Sequence, residues 1–166
     1  MVLSKLKPYQ KKQILLYNNQ STNDIISVLL NAHKIYKPEY NKIGSMFWKG
    51  NKYETCKGIF SFLKKNVPYN IEPDSKQTVK SPSAILSMPG DCKHYSQFIG
   101  GVLSALCGMG KKINWCYRFA NYKLFGELPH HVFIVVKDNG NEIWIDPVLH
   151  SFNYKKPYYN KIDKKA

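Results

Sequence analysis

The sequence has a single arginine. Its 25 basic residues against 11 acidic ones give 166 residues a formal charge of +14, and all but Arg118 are lysine. Arginine supplies most bidentate recognition of phosphates and base edges, so this chain is poorly equipped to read nucleic acid. The charge is also dispersed. Residues 1–80 hold 14 lysines and 5 acids, residues 81–166 hold 11 basic residues and 6 acids, and no basic run exceeds two. Weak attraction to acidic surfaces is expected, and a specific nucleic-acid partner is not. Closely spaced cysteine pairs are missing too: Cys56, Cys92, Cys107 and Cys116 are 36, 15 and 9 residues apart. Without a CxxC pair or a D-x-D-x-D-G loop, neither structural zinc nor calcium is expected, and no cofactor is implied. No apolar run approaches the roughly 20 residues of a membrane span. The basic N-terminus lacks the apolar region of a signal peptide, so a cytoplasmic location without a membrane partner is expected.

Hydrophobic residues nevertheless make up 43% of the chain and aromatics 14%, too much for a disordered polybasic protein. The length suits one domain burying roughly two thirds of its unfolded surface. Residues 1–20 read as a basic arm or a first short helix. Ser21-Thr22-Asn23-Asp24 opens a helix that Pro38 is expected to end. A second helix is predicted over about 53–65. Pro68 to Pro82 reads as a loop, and Ser81-Pro82 starts a short helical turn that stops at Pro89-Gly90. Cys92 to Cys107 carries a one-sided apolar stripe that includes Tyr95, Phe98, Val102 and Leu106. Gly100-Gly101 inside it costs about 1 kcal/mol per glycine relative to alanine, tolerable where another element packs very close. Residues 113–120, 131–136 and 142–148 are strand-like. Helices followed by an antiparallel meander define an α+β fold, with the central helix beginning at a cysteine. Residues 151–166 read as a Lys/Tyr-rich tail: an arm, a last helix or a disordered end.

Three features converge on one chemistry. Gly90-Asp91-Cys92 puts a cysteine at a helix N-terminus, where the dipole and unpaired N–H groups favour a thiolate and stand ready for an oxyanion. Asn139-Gly140 is a two-residue hairpin signal that pairs residues whose numbers sum to 279. That register sets Lys137 opposite Glu142, Val135 opposite Trp144, Phe133 opposite Asp146 and His131 opposite Val148. His131 and Asp146 then become diagonal neighbours on one face of the sheet. Asp146 itself sits in the apolar stretch Trp144-Ile145-Asp146-Pro147, where a lone carboxylate would be costly and a histidine partner gives it a reason to be.

Gly90-Asp91-Cys92, His131-Val132-Phe133 and Trp144-Ile145-Asp146-Pro147, spaced by 39 and 15 residues, resemble the transglutaminase-like superfamily, the papain-like Cys-His-Asp fold, in its small prokaryotic or phage-type form. The resemblance covers about residues 55–150. It leaves 1–54 as a basic helical extension and 151–166 as a tail within a single domain. It implies Cys92 as nucleophile, His131 as general base and later acid, and Asp146 as the group orienting the imidazole. The Cys92 N–H would be one oxyanion donor, with Trp48, Tyr69 and Gln77 as candidates for the second. His94 departs from the acidic residue that many members carry there, and reads as a supporting or surface residue. His33 and His150 have no partner visible in the sequence, so surface or packing roles are expected.

The implied activity is acyl transfer on amide bonds through a thioester. The hydrolytic reading, a cysteine peptidase or amidase acting on a protein or peptide, is favoured over crosslinking to an amine. The alternative is a structural or assembly role, for example as a virion component of a phage of a low-GC host.

Overall fold

The computed structural model describes residues 2–6, 14–16, 22–73, 77–124 and 128–165. The chain runs as β1 (Ile14–Leu16), α1 (Thr22–Ile43), α2 (Lys52–Asn66), β2 (Gln77–Val79), α3 (Pro82–Ser87), α4 (Cys92–Gly108), β3 (Asn114–Asn121), β4 (His131–Asp138), β5 (Asn141–Ile145) and β6 (Asn160–Lys164). Helices and antiparallel sheet are thus combined, as the α+β pattern predicts. The larger sheet has the order β5-β4-β3-β6, and β1 pairs with β2 in a separate two-stranded sheet.

The inner face of the large sheet carries Tyr117, Phe119, Val132, Ile134 and Ile145, which join Phe98, Ile99 and Leu103 of α4 in the main core. Helix α1 crosses α4 where the glycine pair lies. A methyl group at Gly101 would stand 2.3 Å from the Tyr40 ring, and one at Gly100 would stand 2.7 Å from the His33 ring. The close approach expected of Gly100-Gly101 is therefore present. It also buries His33, whose Nε2 lies 2.7 Å from the Tyr117 hydroxyl and 3.1 Å from the Gln97 carbonyl. Burial outweighs the Gln97 hydrogen bond and lowers His33 to about 4.

Three expectations are corrected. Pro38 does not end α1, which continues to Ile43. An interior proline costs about 3 kcal/mol, but Tyr36, Tyr40 and Ile43 stay buried on one stripe, and stopping at Pro38 would forfeit the last two. The C-terminal segment is neither helix nor free arm. Asn160–Lys164 is a fourth strand paired antiparallel with β3, Arg118 opposite Asp163. The segment before it passes from β5 at one sheet edge to β6 at the other. On the way Asn153 accepts from the Trp144 N–H at 2.9 Å, Tyr158 stacks on Trp144 at 5.8 Å, and Lys156 Nζ lies 4.2 Å from the centre of the Tyr122 ring. The Pro68–Pro82 loop likewise contains a strand, β2, with Leu15 opposite Thr78.

No helix among the described residues is long and apolar enough to cross a membrane.

Candidate active site

Helix α4 starts at Cys92 because Asp91 is its N-cap. The Asp91 carboxylate accepts from the Lys93 N–H at 3.2 Å, and the His94 ring Nδ1 accepts from the Asp91 N–H at 3.1 Å, a reciprocal capping box. A histidine here plays the part usually given to glutamate or glutamine. The Cys92 N–H is left without a partner among the described residues. Just upstream, Gly90 is bridged to Tyr69: the Asn70 N–H donates to the Gly90 carbonyl and the Gly90 N–H to the Pro68 carbonyl, both at 2.9 Å. A methyl group at Gly90 would lie 3.1 Å from His94 Cβ. That glycine makes room for His94 against the adjoining strand. All four cysteines are free; Cys56 and Cys116 are buried, while Cys92 keeps some exposure. Cys107 is also partly exposed, with its sulfur 3.3 Å from the Ile113 carbonyl.

The opposing wall comes from the hairpin. Asn139 and Gly140 both take positive φ, 48° and 81°, as the favoured two-residue turns require. Lys137 pairs with Glu142, Val135 with Trp144 and Ile134 with Ile145, the register summing to 279. The ladder stops at Ile145, so the expected pairs of Phe133 with Asp146 and His131 with Val148 do not form. Asp146 turns out of the strand instead, its Oδ1 taking the Val148 N–H at 3.1 Å. Its other oxygen, Oδ2, lies 2.7 Å from His131 Nε2. The Cys92 side chain is near enough to the same imidazole to raise its proton affinity. Burial works against a charged His131. The hydrogen bonds and negative charge of Asp146 and Cys92 outweigh it and raise the group to about 10. Behind the pair, His131 rests on Phe133 at 6.0 Å and Tyr122 at 5.6 Å. The structure therefore brings Cys92, His131 and Asp146 together.

On the other side of Cys92 lies a cluster that the sequence did not reveal. Lys80, Lys93, Asp91 and His94 are all buried. Lys93 Nζ bonds Asp91 Oδ2 and stands 2.8 Å from Glu72 Oε2. Lys80 Nζ lies 3.3 Å from Glu72 Oε1, and the Thr78 N–H donates to Glu72 at 2.7 Å. Burial would raise Asp91, but His94 and Lys93 beside it hold its carboxyl well below the usual range. Burial lowers His94, and Asp91 only partly offsets this against the ammonium groups of Lys93 and Lys80. Glu72, Asp91 and His94 bring ligand-type atoms within 4.8 Å of one another, close enough for a metal ion. The Lys93 ammonium already supplies the positive charge between the two carboxylates, so the donor set does not call for one. Lysines are rarely buried, and nothing in their spacing marked Lys80 or Lys93 as interior.

Of the candidates for a second oxyanion donor, two are elsewhere. The Trp48 ring takes Lys111 Nζ at 4.7 Å, past the C-terminal end of a helix about 25 Å long whose other end holds Cys92. Gln77 Nε2 is spent on the Glu72 and Pro73 carbonyls at 2.9 and 3.1 Å. Tyr69 is bridged to Gly90, two residues before Cys92. Arg118 is fully buried on the outer face of the sheet, paired with Glu142 and Asp163 at 2.7–2.8 Å, so it has no exposed fork to offer a nucleic acid. His150 is exposed.

Set against known proteins, the chain matches no family model, no curated protein and no solved structure.

Proposed function

We propose that this protein is a cysteine-nucleophile acyl-transfer enzyme with a transglutaminase-like core, acting on amide bonds of a protein or peptide and delivering the acyl group to water. The observation that carries this reading is the His131–Asp146 pair at 2.7 Å beside a partly exposed Cys92 at a helix N-terminus. His131 holds the proton given up by the thiol, and the Cys92 sulfur attacks the amide carbon. The C=O electron pair moves onto oxygen, next to the Cys92 N–H. Collapse expels the amine, which takes the proton from His131, and leaves a thioester. The neutral imidazole then draws a proton from the incoming water, hydroxide adds to the thioester, and the acid departs as the thiol recovers its proton. Asp146 keeps the ring oriented and offsets its charge throughout. A lysine amine replacing water would give crosslinking by the same first half.

The test is alkylation by iodoacetamide across pH, followed by peptide mapping. Cys92 should react ahead of the other three cysteines, Cys92→Ala should abolish that label, and His131→Ala should slow it by at least tenfold. Cys92 labelling that is indifferent to His131 would overturn the enzyme reading in favour of a structural or assembly role.

A further inference from the structure

We propose that the phenol of Tyr69 is the second hydrogen-bond donor to the reacting carbonyl oxygen. This rests on the acyl-transfer reading of Cys92 and adds a residue that touches the substrate.

Position comes first. The Tyr69 backbone is bridged to Gly90, two residues before the nucleophile, and its ring lies 6.0 Å from that of Tyr95 on the first turn of α4. The loop that follows is tied down by Glu72, gripped by Lys93, Lys80 and the Thr78 N–H. Tyr69 thus stands on a segment fixed at both ends, although the residue itself is 43% exposed and open to a substrate.

The charge around it agrees with that position: after burial, the influences that oppose its ionisation are Cys92, Asp91, Asp146 and Tyr95. They push Tyr69 up to about 12. The hydroxyl therefore keeps its proton over the range in which His131 is charged, and serves as a donor and not as a base. No acceptor for it is found among the described residues. A donor with no resting partner, on a segment bridged to Gly90 just before the start of α4, binds the oxyanion more strongly than the ground state, as catalysis requires.

The experiment uses p-nitrophenyl acetate as acyl donor and iodoacetamide as a control that alkylates the same sulfur without forming an oxyanion. In Tyr69→Phe the ring and its packing on Tyr95 remain, so folding should be unchanged. Cys92-dependent acylation should fall about 10²- to 10³-fold, while the rate and pH profile of Cys92 alkylation stay as in the native protein. Unchanged acylation in Tyr69→Phe would overturn the assignment and leave the Cys92 reading intact. An equal fall in acylation and alkylation would also overturn it, because Tyr69 would then act through the thiol. A native protein without Cys92-dependent acylation would overturn the parent reading, and the assignment with it.

Discussion

Two histidines flank Cys92, each against an aspartate, and burial bears on both, yet their proton affinities move in opposite directions. His131 lies 2.7 Å from Asp146 and is raised to about 10. His94 lies 3.0 Å from Asp91 and is lowered. Distance to the partner does not explain this. The difference is in what else shares the carboxylate. Around His131 the influential groups are Asp146 and Cys92, both negative when ionised. Asp91 already answers to the ammonium of Lys93, and Lys80 adds to the positive field on His94. His94 is also needed as a neutral acceptor for the Asp91 N–H. One ring is left with raised proton affinity beside Cys92, and the other is held neutral to shape the helix start. The partner of a buried histidine says less about its protonation than the unpaired charge around that partner does.

The comparison breaks most sharply at Asp146. Asp146→Asn keeps the shape and removes the charge, so burial should win and His131 should fall below 6.5. Acylation should drop by about 10⁴-fold, and the ring titration is readable by NMR. Next in size is Lys93→Met. Breaking a buried ion cluster costs about 3–5 kcal/mol, measurable by denaturant unfolding, and His94 should gain proton affinity once that ammonium is gone. If His94 stayed as it is, burial alone would account for its state and the contrast with His131 would need another cause. The smallest effects are in stability against pH. His131, raised above its unfolded value, contributes fully below pH 6.5 and loses that contribution as pH rises through about 10. His94 and His33 are lowered, so theirs is full above pH 6.5 and lost as pH falls, for His33 through about 4. Stability should therefore decline toward both the alkaline and the acid end. Asp146→Asn should flatten only the alkaline decline, and His33→Asn only part of the acid one.

Much of the site could be read in advance because its signals are local. Asn139-Gly140 demands left-handed backbone, fixes the register, and with it the side of the sheet that His131 takes. Gly90-Asp91-Cys92 carries its own helix start. What escaped depends on distant partners. The propensity penalty at Pro38 is local, while the Tyr40 packing that overrides it comes from Gly101, some sixty positions on. The strand at Asn160–Lys164 is exposed along its length, with three charged residues in five, so neither alternation nor apolarity announces it. Lys80 and Lys93 look like any other lysine until the fold brings Glu72 to both of them. Trp48 and Gln77 were plausible donors by residue type alone, and geometry removed them.

Arg118 sets an order on assembly. One of its carboxylates, Glu142, follows 24 residues later, and the other, Asp163, only after 45. Until Asn160–Lys164 docks, β3 has a bare edge and its arginine only one counter-charge. A guanidinium with no exposed surface is tolerable in that position only once both carboxylates are in place. Closing the sheet with β6 is thus an electrostatic latch, set by a residue that takes no part in the proposed reaction.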